Sequence, residues 1–181
     1  RVKLLNVFLT YPYEMFHVRE CVRRTNDEIN AVRRELQFLE KHQILKKENR
    51  ANRVYYYLDK EYPFYFDLLC IGAKTIGLGE QVLKNRVKLG KIKYASFSGK
   101  FVRRIRKNPD DVDFMVIGTV VLPELAALVR SEEQRLETEI NYTAMTEEEF
   151  KFRKKRNDPF IAAILSNSRV MLIGDEEAML A

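Results

Sequence analysis

Apolar residues at the start of the chain recur at helical spacing: Val2, Leu5, Phe8 and Leu9 fall on one face, and Tyr11-Pro12 ends the segment. A second short helical segment carries Phe16, Val18, Cys21 and Val22 and closes at Arg23-Arg24. Thr25 then offers an N-cap with Glu28 three positions on, the spacing of a capping box, for a third helix. In that helix Ile29, Val32, Leu36 and Leu39 step by three, four and three, which makes a core-facing stripe. The period then shortens. Residues 44–48 read as a strand, 49–52 as a turn and 53–58 as a β-branched and aromatic return strand. An apolar patch follows, Tyr62-Pro63-Phe64-Tyr65-Phe66 with Leu68-Leu69. Further on, residues 93–97 and 114–118 read as strands, with a turn at Asn108-Pro109 between them. Thr146 with Glu149 forms a second capping box, Pro159 starts another helix, and 170–174 give a last strand.

Composition sets bounds on this picture. The 181 residues suffice for one generous domain or two small ones, and 46% hydrophobic with 32% charged is an ordinary globular balance. No run of 18 apolar residues occurs, so nothing in the sequence is expected to span a membrane. No signal-peptide pattern precedes a cleavage site, which makes the cytoplasm the expected compartment. Cys21 and Cys70 stand 49 positions apart with no Cys-x-x-Cys and no nearby His, so both read as buried small hydrophobes. The net charge of +6 is uneven: residues 1–90 hold 17 Lys/Arg against 11 Asp/Glu, whereas 91–181 hold 15 of each. A polyanionic partner is therefore expected to meet the front half.

The third helix carries the chemistry such a partner needs. Opposite its apolar stripe, Asn26, Asn30, Arg33, Arg34 and Gln37 form a polar stripe. Asn, Gln and Arg each make paired hydrogen bonds to base edges in the major groove. The hairpin after it carries Lys46, Lys47, Arg50 and Arg53 at or near its tip, suited to phosphate or the adjacent minor groove. A helix, a short helix, a longer helix and a basic-tipped hairpin is the winged-helix order. The stretch NAVRRELQFLEKHQILKKENRANRVYYYL resembles the recognition helix and wing of the ArsR-like winged-helix repressors, a likeness covering roughly residues 1–60. It implies sequence-specific binding of double-stranded DNA through Asn26, Asn30, Arg33, Arg34, Gln37, Lys47, Arg50 and Arg53. It also implies a homodimer built on a helix in the connector. The metal-sensing cysteines of the family's arsenic and cadmium sensors are absent.

The second half offers a different site. Asp111 and Asp113 lead into an apolar strand, and residues two apart on a strand share a side, so both carboxylates are expected in one place. Carboxylates so paired hold Mg²⁺ for phosphoryl or nucleotidyl transfer. The stretch DDVDFMVIG, with Gly99 ahead of it, resembles the minimal nucleotidyltransferases of the DNA polymerase beta superfamily over about residues 85–175. The resemblance gives Gly99 and Lys100 to nucleotide binding and Asp111 and Asp113 to metal. In LETEINYTAMTEEEF, it gives Glu139 to the third, catalytic carboxylate. Two positions depart from it. Lys100 replaces a serine that helps hold the phosphates, and Arg104 replaces a second glycine that permits a tight loop. Three readings stay open: an enzyme of altered substrate choice, a metal or nucleotide held as effector, or carboxylates neutralised by the basic run Arg103, Arg104, Arg106 and Lys107.

The expected fold is α+β, a winged helix-turn-helix joined to a small α/β nucleotidyltransferase-like domain with a mixed sheet. Residues 1–60 form the first domain, 61–90 a connector with a dimerisation helix, and 91–181 the second domain. The expected function is a sequence-specific DNA-binding transcriptional regulator with a degenerate nucleotidyltransferase-like domain, with Mg²⁺ as its one candidate cofactor. The alternative is an active nucleotidyltransferase of the toxin–antitoxin kind that modifies a protein or small molecule.

Overall fold

The apolar stripe of the third expected helix becomes one wall of a small core. The computed structural model describes residues 2–105 and 108–181, and the chain divides into two compact units, Arg1–Gly72 and Ala73–Ala181. The first unit runs α1 (Val2–Thr10), β1 (Phe16–His17), α2 (Val18–Thr25), α3 (Ile29–Lys41), β2 (Leu45–Arg50) and β3 (Arg53–Leu58). Val32, Leu36 and Leu39 of α3 are buried with Leu4 and Phe8 of α1, Cys21 of α2 and Leu45 and Leu58 of the hairpin. The three strands pair antiparallel in the order β1-β3-β2, with Leu45 opposite Leu58 and Arg50 opposite Arg53. Ala51 and Asn52 alone turn the hairpin.

Two local expectations need correcting. Phe16 belongs to β1 and not to a helix: it is buried opposite Tyr56, and α2 begins only after His17, whose Nδ1 accepts a hydrogen bond from the Glu20 amide at 3.1 Å. Thr25 does not cap α3. It is the buried last residue of α2, with its hydroxyl donating to the Cys21 carbonyl at 2.9 Å. Asn26 follows in the left-handed conformation (φ 54°, ψ 35°), which Asn tolerates better than most residues and which stops the helix. Glu28 is the true cap of α3, accepting from the amides of Asn30 and Ala31 at 2.9 and 3.0 Å. Asn26 therefore lies in the turn between α2 and α3, not on the α3 stripe.

Helix α4 (Tyr65–Thr75) runs across the division between the units, so the expected connector over 61–90 is mostly helical: α4 and then α5 (Gly77–Lys84). The second unit continues with β4 (Gly90–Ser98), α6 (Gly99–Val102), β5 (Phe114–Val120), α7 (Leu122–Leu136) and β6 (Tyr142–Met145). It ends with α8 (Glu147–Lys155), α9 (Pro159–Ser166), β7 (Arg169–Ile173) and α10 (Glu176–Leu180). Its four strands form a mixed sheet in the order β6-β5-β4-β7. Strand β4 is antiparallel to both neighbours, and β5 is parallel to β6, the connection between them being made by α7. Residues Phe114–Ile117 of β5 are all buried, as a central strand covered on both faces requires. On one face Tyr94, Met115 and Ile117 pack with Met145, Phe150, Ile161 and Met179. The fold class is α+β. Among the described residues no helix is long and apolar enough to cross a membrane.

The burial of the α3 stripe makes a stability prediction. Leu36→Ala is expected to cost about 2–5 kcal/mol, because it opens a cavity in a core with no slack. Gln37→Ala, one position on and exposed, should stay within about 0.5 kcal/mol. Urea midpoints measured on both variants check this, and equal losses would refute the packing described.

Candidate functional site

With Val32, Leu36 and Leu39 turned inward, the opposite side of α3 presents Asn30, Arg33, Arg34 and Gln37 to solvent. Asn26 is exposed just ahead of it. The helix starts at Glu28, whose carboxyl is held below its ordinary value by the backbone N–H of Asn30 and then that of Ala31. It ends at Lys41, with the His42 ring stacked 4.1 Å from Phe38. Beyond that end stands the hairpin. Lys47 Nζ lies 3.2 Å from Glu40 Oε1 of α3, and Arg50 Nε donates to Glu48 at 2.7 Å. Lys46 is held twice, by Glu61 at 2.5 Å and Asp59 at 2.9 Å, and these two carboxylates raise its basicity. Arg53 is exposed beside the turn. Exposed pairs such as Lys47–Glu40 and Arg50–Glu48 contribute little in water, so a phosphate can take the carboxylate's place. Lys46, by contrast, ties the base of the hairpin to the segment after it. Cys21 is buried, which pushes its thiol up to about 12 and keeps it protonated and unsuited to bind metal.

The second unit has a cleft of about 90 Å³, lined among others by Ser98, Phe160, Asn167 and Ser168 and, of the candidate residues, by Lys100 and Asp111 but not by Gly99, Asp113 or Glu139. Lys100 Nζ lies 2.7 Å from Asp111 Oδ2, and the same oxygen accepts from the Asn108 amide at 2.9 Å. Asp113 is buried, and its Oδ2 accepts from the Asn141 amide at 2.9 Å while its own amide donates to the Asn141 carbonyl at 2.7 Å. The Asn141 side chain in turn donates to the carbonyls of Pro109 and Asp111. The two carboxylates thus serve different partners. Glu139 is not on a strand: it is exposed in the segment before β6, because buried Ile140 takes the inward place beside it. Magnesium is commonly held by one or two carboxylates together with waters and substrate phosphates. Among the described residues no three His, Cys, Asp or Glu are gathered so that they hold a metal ion, so Asp111, Asp113 and Glu139 do not form the expected triad for Mg²⁺.

Gly99 stands at the turn from β4 into α6. Its amide donates to the Ser168 carbonyl at 2.7 Å, and a Cβ there would lie 2.0 Å from Ser168 Oγ, so only glycine fits without displacing that hydroxyl. Ser98 caps the short helix, accepting from the Phe101 amide at 3.1 Å. Arg104 has a left-handed backbone (φ 53°), a conformation glycine adopts more readily than other residues, and its guanidinium lies 4.7 Å from the Phe101 ring centre. Of the basic run expected to neutralise the carboxylates, Arg103 reaches Ser168 Oγ at 3.3 Å, and Arg106 and Lys107 lie outside the described residues. Among the described residues Lys100 pairs with Asp111. Ser168 and Asn141 escape a reading of the sequence because their partners are 65 and 28 positions away, and no local pattern marks such contacts.

Comparisons of the chain with models of known families, with curated proteins and with solved structures return no match.

Two measurements check this geometry. Gly99→Ala is expected to destabilise the second unit by about 1–3 kcal/mol through overpacking, and adding Ser168→Ala should recover part of that loss. No recovery in chemical denaturation would mean that the tight turn has another cause. For Glu28 the folded carboxyl titrates below the ordinary 4.5, so its capping is complete above that pH and is lost as pH falls through the lower folded value. Hydrogen exchange at the Asn30 and Ala31 amides should quicken over that acid range, and Glu28→Gln should abolish the pH dependence.

Proposed function

We propose that the chain is a sequence-specific DNA-binding regulator of transcription, with a front unit that is a winged helix-turn-helix of the ArsR-like kind. The observation that carries the proposal is the single exposed face of α3, with Asn30, Arg33, Arg34 and Gln37 on the side opposite three buried apolar residues. Long side chains with paired donors on a protruding helix face match base edges in the major groove. The hairpin with Lys47, Arg50 and Arg53 supplies the phosphate contacts, and Asn26 in the turn before α3 suits a contact at the groove's edge. The excess of six positive charges in residues 1–90 favours the same polyanion. Such a regulator works in the cytoplasm.

A homodimer on double-stranded DNA is part of the proposal. Phe64, the residue just before α4, and Ile71 within it are 60% and 55% exposed, and the spacing of four and three lines them up with partly buried Leu68. A second copy that covers this stripe supplies the paired half-sites such regulators use. The second unit is proposed as a nucleotidyltransferase-like domain without transfer activity. What weighs against the alternative, an active transferase, is that Asp111 is engaged by Lys100 and Asp113 by Asn141. A nucleotide bound as effector stays compatible with the cleft.

Arg33→Ala is expected to weaken binding to a selected DNA duplex by about 1–3 kcal/mol and to random DNA far less. Arg50→Ala should instead lower affinity on all sequences and reduce the slope of log affinity against log salt by about one. Fluorescence anisotropy on both DNAs at several salt concentrations distinguishes these outcomes. Equal losses for Arg33→Ala on both DNAs would end the claim that α3 reads bases.

A further inference from the structure

We infer that Lys100 is a built-in counter-cation: its ammonium occupies the place that a divalent metal ion takes in the nucleotidyltransferases this unit resembles, and it keeps such an ion off Asp111. The inference rests on the reading of the second unit as nucleotidyltransferase-like. Its ground is the disagreement between the residues present and the metal that likeness implies.

Three features of the site carry it. First, Asp111 Oδ2 already accepts two donors, the Lys100 ammonium at 2.7 Å and the Asn108 amide at 2.9 Å. Second, the aspartate is fixed where the ammonium meets it. The Asn141 side chain holds the carbonyls of Pro109 and Asp111, and the Asn141 backbone holds Asp113. Third, Asp113 is buried with its Oδ2 turned to the Asn141 amide, Glu139 lies in the exposed segment before β6, and among the described residues no three His, Cys, Asp or Glu gather to hold a metal ion. A free cation would have to displace an ammonium that is tethered in the same chain and so present at high effective concentration. A single carboxylate with water filling the remaining positions binds free Mg²⁺ or Mn²⁺ weakly, so the tethered ammonium out-competes the ion and its removal exposes the site.

The arrangement has a chemical consequence. A lysine ammonium carries three donors, and the side chain is 40% exposed, so part of it still faces the cleft while Asp111 balances its charge. The positive charge beside Ser98 and Ser168 is then a permanent part of the protein and not one that varies with metal supply.

The test uses the full chain and Mn²⁺, followed by calorimetry and by the paramagnetic broadening of signals near Asp111. The unsubstituted protein should show no Asp111-dependent binding of Mn²⁺. Lys100→Ser should bind it about tenfold more tightly or better, and Asp111→Asn added to Lys100→Ser should remove that gain. Lys100→Gln, which keeps the length of the side chain, serves if the serine variant does not fold. Mn²⁺ broadening in the unsubstituted protein that Asp111→Asn abolishes would overturn the inference, and so would soluble Lys100 variants that gain nothing. ATP titrated without metal separates the two levels. ATP binding together with Lys100 variants that gain no Mn²⁺ would keep the nucleotidyltransferase likeness and sink the inference. A gain of Mn²⁺ binding without any ATP binding would do the reverse.

Discussion

The rotation of α3 about its own axis is set by three side chains, Val32, Leu36 and Leu39, which have almost no surface left to water. A helix that buries one stripe has no choice about what the opposite stripe does. Once Leu36 is inside, Asn30, Arg33, Arg34 and Gln37 are outside, and they line up along a single face. The hairpin is anchored to the same core by Leu45 and Leu58, which lie opposite each other across its strands. Its basic residues are carried past the end of α3, where Lys47 reaches back to Glu40. One core thus sets both surfaces that the proposed function needs.

The second unit depends on a different kind of constraint. Its central strand is buried on both faces, so the chain entering that strand must satisfy its polar groups at the edge of the core. Asp113 does this by exchanging backbone and side-chain hydrogen bonds with Asn141 at the start of the neighbouring parallel strand. That bond holds β5 and β6 in register at the end where the cleft opens. A carboxylate that looks like a metal ligand in the sequence therefore serves as a structural tie, and Asp111 beside it is matched by a lysine. Arg104 holds a left-handed backbone just beyond the short helix α6.

Segments with a long apolar period were legible without coordinates. The stripe of α3, the hairpin, β4, β5, β7, the cap at Thr146 and the helix start at Pro159 all follow from local spacing. What was not legible has local causes. Strand β1 is two residues long and exists only because β3 pairs with it. Helix α7 buries few residues, Leu125, Val129 and the charged Glu132 among them, too mixed a face to signal a helix. The cap of α3 was misplaced from Glu28 to Thr25 because both spacings suit a cap, and only the left-handed turn at Asn26 decides between them. In the candidate site the identities of Gly99, Lys100 and Asp111 were legible, but their partners were not. Ser168 and Asn141 reach them across long stretches of chain, and burial rather than spacing assigns Asp113 its role.

The central claim is that α3 reads base sequence, and selection from a pool of random duplexes with the full chain tests it most directly. The account predicts enrichment of one sequence, arranged as two related half-sites about one turn of DNA apart, as a dimer with one reading helix per copy requires. Recovery of duplexes with no shared sequence after repeated rounds would contradict it, and would leave the basic front unit a non-specific binder of polyanions.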